Sequence, residues 1–138
     1  MNILKVLTEK RRIGDLGEDA AARLLKKKGY KILARNLVVG DAEIDIIACD
    51  REFTVFIEVK TRKYSEERVG ESRPASAVTA EKQRRIIKAA RGYLAYNPSP
   101  RRVRFDVIEV YYEERDGKLR VHSTEHLEGT FNISSCRK

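Results

Sequence analysis

The chain has 138 residues, 41% hydrophobic and 36% charged, with a formal net charge of +8. That is one domain's length with enough apolar material for a core; there is no low-complexity tract, no apolar run of membrane-spanning length and no signal-peptide pattern. Two cysteines, Cys49 and Cys136, make neither a disulfide framework nor a metal cluster, so composition predicts one soluble domain over residues 1–138, in the cytoplasm and without a membrane partner.

Residues 13–28 read as a helix, with Ile13, Gly17, Ala20, Ala21, Leu24 and Leu25 at helical spacing and Gly29 as its stop. Gly14 and Gly17 weaken that helix, which predicts a close approach to its N-terminal end. Glu18 sits on the edge of the buried stripe, and from the helix alone it reads first as a favourable dipole charge. A strand is predicted over 30–39. Residues 40–48 and 56–60 follow as two alternating apolar strands separated by Cys49-Asp50-Arg51-Glu52.

Residues 62–77 are charged and aperiodic, a predicted basic loop. Thr79 is the expected cap of a second helix ending near Tyr96, with Ile86, Ile87, Ala90 and Leu94 as its apolar stripe and Gln83 on that stripe. A strand over 103–112 and an Asp116-Gly117 turn predict an edge strand over 119–122. The core is expected within about 13–122, and the tail 123–138 stays unassigned. Helix, three strands, helix and strand predict an α/β fold with a small mixed sheet flanked by helices.

The two central strands carry the chemistry. A tight turn at Arg51-Glu52 sets Asp45 opposite Glu58, and alternation puts Glu58 and Lys60 on one face with Val55, Ile57 and Val59 on the other. Asp45 and Glu58 are hard oxygen ligands of the type that hold Mg2+ or Mn2+, and the Val59 carbonyl is a further donor. Lys60 is placed to orient or deprotonate an attacking water and to stabilise charge on a phosphate. The competing reading is a solvated ion-pair cluster, since Glu-x-Lys is common in strands. Against it, both carboxylates lie in the most apolar strands of the chain.

The excess charge is clustered. Residues 62–104 hold twelve Lys/Arg against four Glu, an excess equal to the net charge of the whole chain. A basic surface beside an acidic site suits a polyanion, although a solvated surface is the simpler reading of charge alone.

Asp45 with Glu58-Val59-Lys60 resembles the Asp…(Asp/Glu)-x-Lys signature of restriction-endonuclease-like nucleases, the PD-(D/E)xK superfamily. Gly14-x-x-Gly17-Glu18, Tyr30-x-Ile32-x-x-x-Asn36, Glu43-Ile44-Asp45-Ile46-Ile47, Phe56-Ile57-Glu58-Val59-Lys60-Thr61-Arg62 and Arg104-Phe105-Asp106-Val107 together resemble the YraN-type family over residues 13–110. The resemblance implies a fold like archaeal Holliday-junction resolvases, an α-β-β-β-α-β core, and a Mg2+-dependent endonuclease. It implies Asp45 and Glu58 as metal ligands, Lys60 as the catalytic lysine and Glu18 as a helix carboxylate facing the same site. Glu43 shares the predicted face of Asp45 as a supporting group. Gln83 is assigned first to a core hydrogen bond, with contact to the site or to DNA as its alternative, and Asp106 to an arginine partner. The family usually has Gly before the Glu of Glu-Ile-Asp; Ala42 stands there, so a different local bend is expected.

The leading expectation is a metal-dependent endonuclease on DNA, branched or otherwise non-duplex, with Arg62, Lys63, Arg68, Arg73, Arg84, Arg85 and Lys88 on phosphates. By the resolvase analogy it forms a homodimer. The alternatives are a nucleic-acid-binding module that does not cut and a nuclease directed at RNA. His122 and His126, four apart, lack the partners of a zinc site.

Overall fold

A computed structural model describes residues 2–65 and 78–132. The first helix, α1, spans Ile3–Lys27, ten residues longer at its start than the apolar stripe predicts. Asn2 caps it, its Oδ1 accepting from the amides of Leu4 at 3.0 Å and Lys5 at 3.4 Å. Residues 3–12 are exposed, so no buried stripe marks them.

Three strands follow: β1 (Lys31–Val39), β2 (Ala42–Cys49) and β3 (Phe53–Lys63). The second helix, α2, spans Ala80–Tyr96, and Thr79 caps it as expected, Oγ1 accepting from Lys82 N. Strand β4 (Arg102–Arg115) and β5 (Lys118–Phe131) complete the chain's elements. Asp116 and Gly117 both have positive φ, 52° and 74°, the requirement of a type I′ hairpin turn. Strand β5 runs nine residues beyond the predicted edge strand; its alternating exposed and half-buried pattern holds few large apolar residues, which hides it in the sequence.

The sheet order is β1-β2-β3-β4-β5, antiparallel except for the parallel β3–β4 pair that α2 connects. This is the restriction-endonuclease-like core, a mixed sheet flanked by helices. Helix α1 packs on Ile46, Ala48, Val55, Ile57, Ile108 and Val110. Helix α2 covers the other face over Ile47, Phe56, Phe105 and Val107. Among the described residues no helix is long and apolar enough to cross a membrane.

Gly17 explains how α1 sits so close to the sheet. A Cβ there would overlap the side chain of Thr61 on β3, whereas one at Gly14 would meet nothing within 4 Å. The expected close approach therefore belongs to Gly17 alone. Gly17→Ala should cost about 1–3 kcal/mol by overpacking, read as a lower urea midpoint with unchanged m-value. An unchanged midpoint would mean that Thr61 can move aside freely. Ala42 is not a positive-φ residue; Gly40, at φ 63°, takes the turn instead. The family's glycine is thus not required by the backbone here.

Candidate active site

The β2–β3 register pairs Ile46 with Ile57, Ile47 with Phe56 and Cys49 with Thr54, the register of a turn centred on Arg51-Glu52. The pairing ends at Ile46–Ile57, immediately before Asp45 and Glu58 would be opposed. Instead of a ladder bond, Val59 N donates to Asp45 Oδ2 at 2.9 Å. The strands part at the two carboxylates, and a cavity of about 370 Å³ opens there, lined by Glu43, Asp45, Glu58, Lys82 and Arg85 among others.

Burial, and next the nearby Glu58 charge, push the Asp45 carboxyl up to about 7. Glu58 is buried, yet it has cationic partners: Lys82 Nζ lies 2.5 Å from its Oε1 and Lys60 Nζ 3.6 Å from the same atom. Burial alone would lower the Lys82 ammonium, but the hydrogen bond and charge of Glu58 raise it. From sequence Lys82 belongs to a charged outer face. No signal in the sequence alone marks it, since only the docking of α2 brings it to Glu58.

Glu18 reaches the neighbourhood without joining the pair. Its charge helps raise Asp45, and its own carboxyl is raised by burial, offset in part by an Asn36 hydrogen bond and by Arg35. Glu18 Oε1 is buried without a hydrogen-bond partner; the Arg35 guanidinium stands 3.9 Å away and is bound more closely, at 2.8 Å, to Asp19. Among the described residues no three His, Cys, Asp or Glu side chains form a ready ligand cluster. What converges is a carboxylate pair, the backbone of Val59 and two ammonium groups.

Gln83 is half-buried, its Nε2 donating to Val78 O at 3.0 Å. Asp106 has the arginine partner expected of it: Arg104 binds both its oxygens at 2.9 Å. Unforeseen is His126, whose Nε2 lies 2.7 Å from Asp106 Oδ2 while Lys28 Nζ donates to Nδ1 at 2.9 Å. An ammonium can only donate, so Nε2 carries the proton given to Asp106. This cluster lies on the α1 face, behind the candidate site, and holds the C-terminal end of α1 to β4 and β5.

Of the basic residues, Arg62, Lys63, Arg84, Arg85 and Lys88 are exposed. A second cavity, of about 280 Å³, shares Asp41 and Arg85 with the first and adds Lys88, so Arg85 and Lys88 flank the approach to Asp45 and Glu58. Arg68 and Arg73 lie outside the described residues, as does Cys136; Cys49 is buried and free.

The family model described as "Uncharacterised protein family UPF0102" matches residues 17–110. A UPF0102 protein of Chlorobium phaeobacteroides is 44% identical over 121 residues, 86% of this chain and 93% of its own length. Those of Chlorobaculum tepidum and Symbiobacterium thermophilum are 45% identical over 123 residues and 49% over 111, covering 88% and 80% of this chain and 92% and 90% of theirs. The chain belongs to the UPF0102 family, structurally related to the YraN-like members of the PD-(D/E)xK superfamily.

Proposed function

We propose that the protein is a metal-dependent endonuclease that hydrolyses phosphodiester bonds in DNA. One observation carries this reading: Asp45 and Glu58 are held together where the β2–β3 pairing stops, at an open cavity, with Asp45 pushed up to about 7. Forcing two carboxylates together in a half-buried site is costly unless a cation is to be held there. The Glu18 Oε1 nearby, buried without a hydrogen bond, and the all-oxygen donor set suit a hard divalent ion, Mg2+ or Mn2+. Asp45, Glu58 and the Val59 carbonyl would hold it, with Glu18 and Glu43 adding negative charge around it.

Bound there, such an ion supplies an electrophile for the phosphate oxygens and eases deprotonation of water. The chain's own groups do the rest. Val59 N fixes the Asp45 carboxylate, Glu58 anchors Lys60, and the Lys60 ammonium offsets charge that develops on the phosphate. Arg62, Lys63, Arg84, Arg85 and Lys88 would bind phosphates on either side without reading sequence. Replacing Arg84, Arg85 and Lys88 together with Gln should weaken DNA binding equally across sequences. It should also lower the slope of log K against log salt by about 0.9 for each lost duplex contact. Fluorescence anisotropy over a salt series measures both, and an unchanged slope would remove these residues from the interface.

The reading is tested with labelled duplex, single strand, flap and four-way junction, in DNA and RNA, each with Mg2+, Mn2+ or EDTA. Metal-dependent cutting that Lys60→Ala lowers by roughly a hundredfold or more is the expected outcome. Salt-sensitive binding without cutting, unchanged in Lys60→Ala, would replace it with a second reading, a nucleic-acid-binding module. The ion pair between Glu58 and Lys82 favours that alternative, because a paired carboxylate is stable without metal. Cutting confined to RNA would reassign the substrate.

A further inference from the structure

Lys82 has a place in the site that the nuclease reading leaves unused. The Thr79 cap fixes its backbone amide at 3.2 Å, and Gln83 ties the same turn to Val78, itself buried. From that anchored turn the side chain crosses to Glu58. It stands more than an ångström closer to Oε1 than Lys60 does, 2.5 against 3.6 Å. Lys82 also lines the cavity beside Asp45 and Glu58, which Lys60 does not. Its side chain is 40% exposed, on a stem with four rotatable bonds, so the ammonium has room to leave.

An ammonium at this distance occupies a lone-pair position of Glu58 Oε1 that a cation bound through that oxygen would need. The charge balance points the same way. Glu58 already faces two ammonium groups, Lys60 and Lys82, for its single negative charge. Adding a divalent ion while both ammonium groups stayed would crowd like charges into a half-buried space.

Resting on the nuclease reading of this site, we infer that Lys82 is its built-in counter-ion, which a divalent cation must displace from Glu58. Lys82 thereby sets how tightly the protein takes up metal. In the metal-free protein it holds the Glu58 carboxylate in position. In the metal-loaded protein its ammonium is released from Glu58 to solvent at the cavity rim.

The test is a Mn2+ titration of the full-length protein by calorimetry, without nucleic acid, comparing wild type with Lys82→Met, Lys82→Gln and Lys82→Arg. Both neutral variants should bind Mn2+ about tenfold more tightly, and Lys82→Arg should stay near wild type. A structural role for Lys82 would give the opposite sign, since loosening the turn would weaken metal binding. Wild-type binding with no tightening in either neutral variant overturns the inference and leaves the nuclease reading standing. Absence of Mn2+ binding in every protein, wild type included, overturns both. Circular dichroism melts establish that each variant is folded, and the second neutral variant keeps the test decisive if one fails to fold.

Discussion

Asp45→Asn is expected to lower metal-dependent cleavage by about a thousandfold or more while making the metal-free protein more stable at alkaline pH. The loss of cleavage follows from the loss of an anionic oxygen where a cation is to be held and transition-state charge offset. The gain in stability follows from the raised carboxyl. With a folded value of about 7 against an ordinary 3.8, the folded state keeps a proton that the unfolded chain has released. The stability this carboxyl contributes is fully present below its ordinary value and is lost as pH rises through about 7. The neutral amide that replaces it carries no such penalty. In EDTA near pH 8 the variant should therefore resist urea by up to about 4 kcal/mol more than wild type, a gap that closes by about pH 4. A gap independent of pH would mean that Asp45 is not strained in the folded protein.

Asp106→Ala should act in the opposite direction, costing about 3–5 kcal/mol and lowering Tm by roughly 10–20 °C. Asp106 is fully buried and accepts four hydrogen bonds: two from Arg104, one from His126 and one from Gly129 N at 3.0 Å. Removing it leaves the Arg104 guanidinium, only 14% exposed, without its closest anion, and the Gly129 amide without an acceptor. Burial alone would raise the Asp106 carboxyl, but His126, Arg104 and the Gly129 amide together lower it. Its contribution is therefore present above the ordinary carboxylate range and is lost as pH falls below it. Below its melting temperature the variant should retain cleavage, since Asp106 points to the α1 face and Glu58 to the α2 face. Thermal melts followed by circular dichroism and cleavage assays separate the two effects; a Tm within a degree or two of wild type would show that the cluster stabilises little.

The hairpin that brings Asp45 and Glu58 together is legible because strand alternation and turn position together dictate register, and both are written in consecutive residues. The Thr79 cap is legible for the same local reason. Lys82 and His126 are not. A lysine one turn into a helix looks like solvent-facing charge until the packing angle of that helix on β3 is known. His126 lies in a strand whose partner, β4, is defined by a turn about ten residues earlier, and whose own residues carry little apolar signal. The first ten residues of α1 escape because they touch no core, and apolar periodicity is silent where nothing is buried.

Each antiparallel pairing among the described strands joins chain neighbours through a short turn, whereas β3 and β4 meet across α2 with about fifty residues between partners. The β2–β3 hairpin can therefore assemble during synthesis before α2 and β4 have emerged. Its two carboxylates can then meet before Lys82, the closer ammonium on Glu58, has docked with α2. Lys60, on the same hairpin, is the first counter-ion those carboxylates encounter, and dissolved cations supply the rest. Pairing of β4 with β3 must close about fifty residues, and the docking of α2 within that loop adds a second ammonium to a site that its own strand had begun to neutralise.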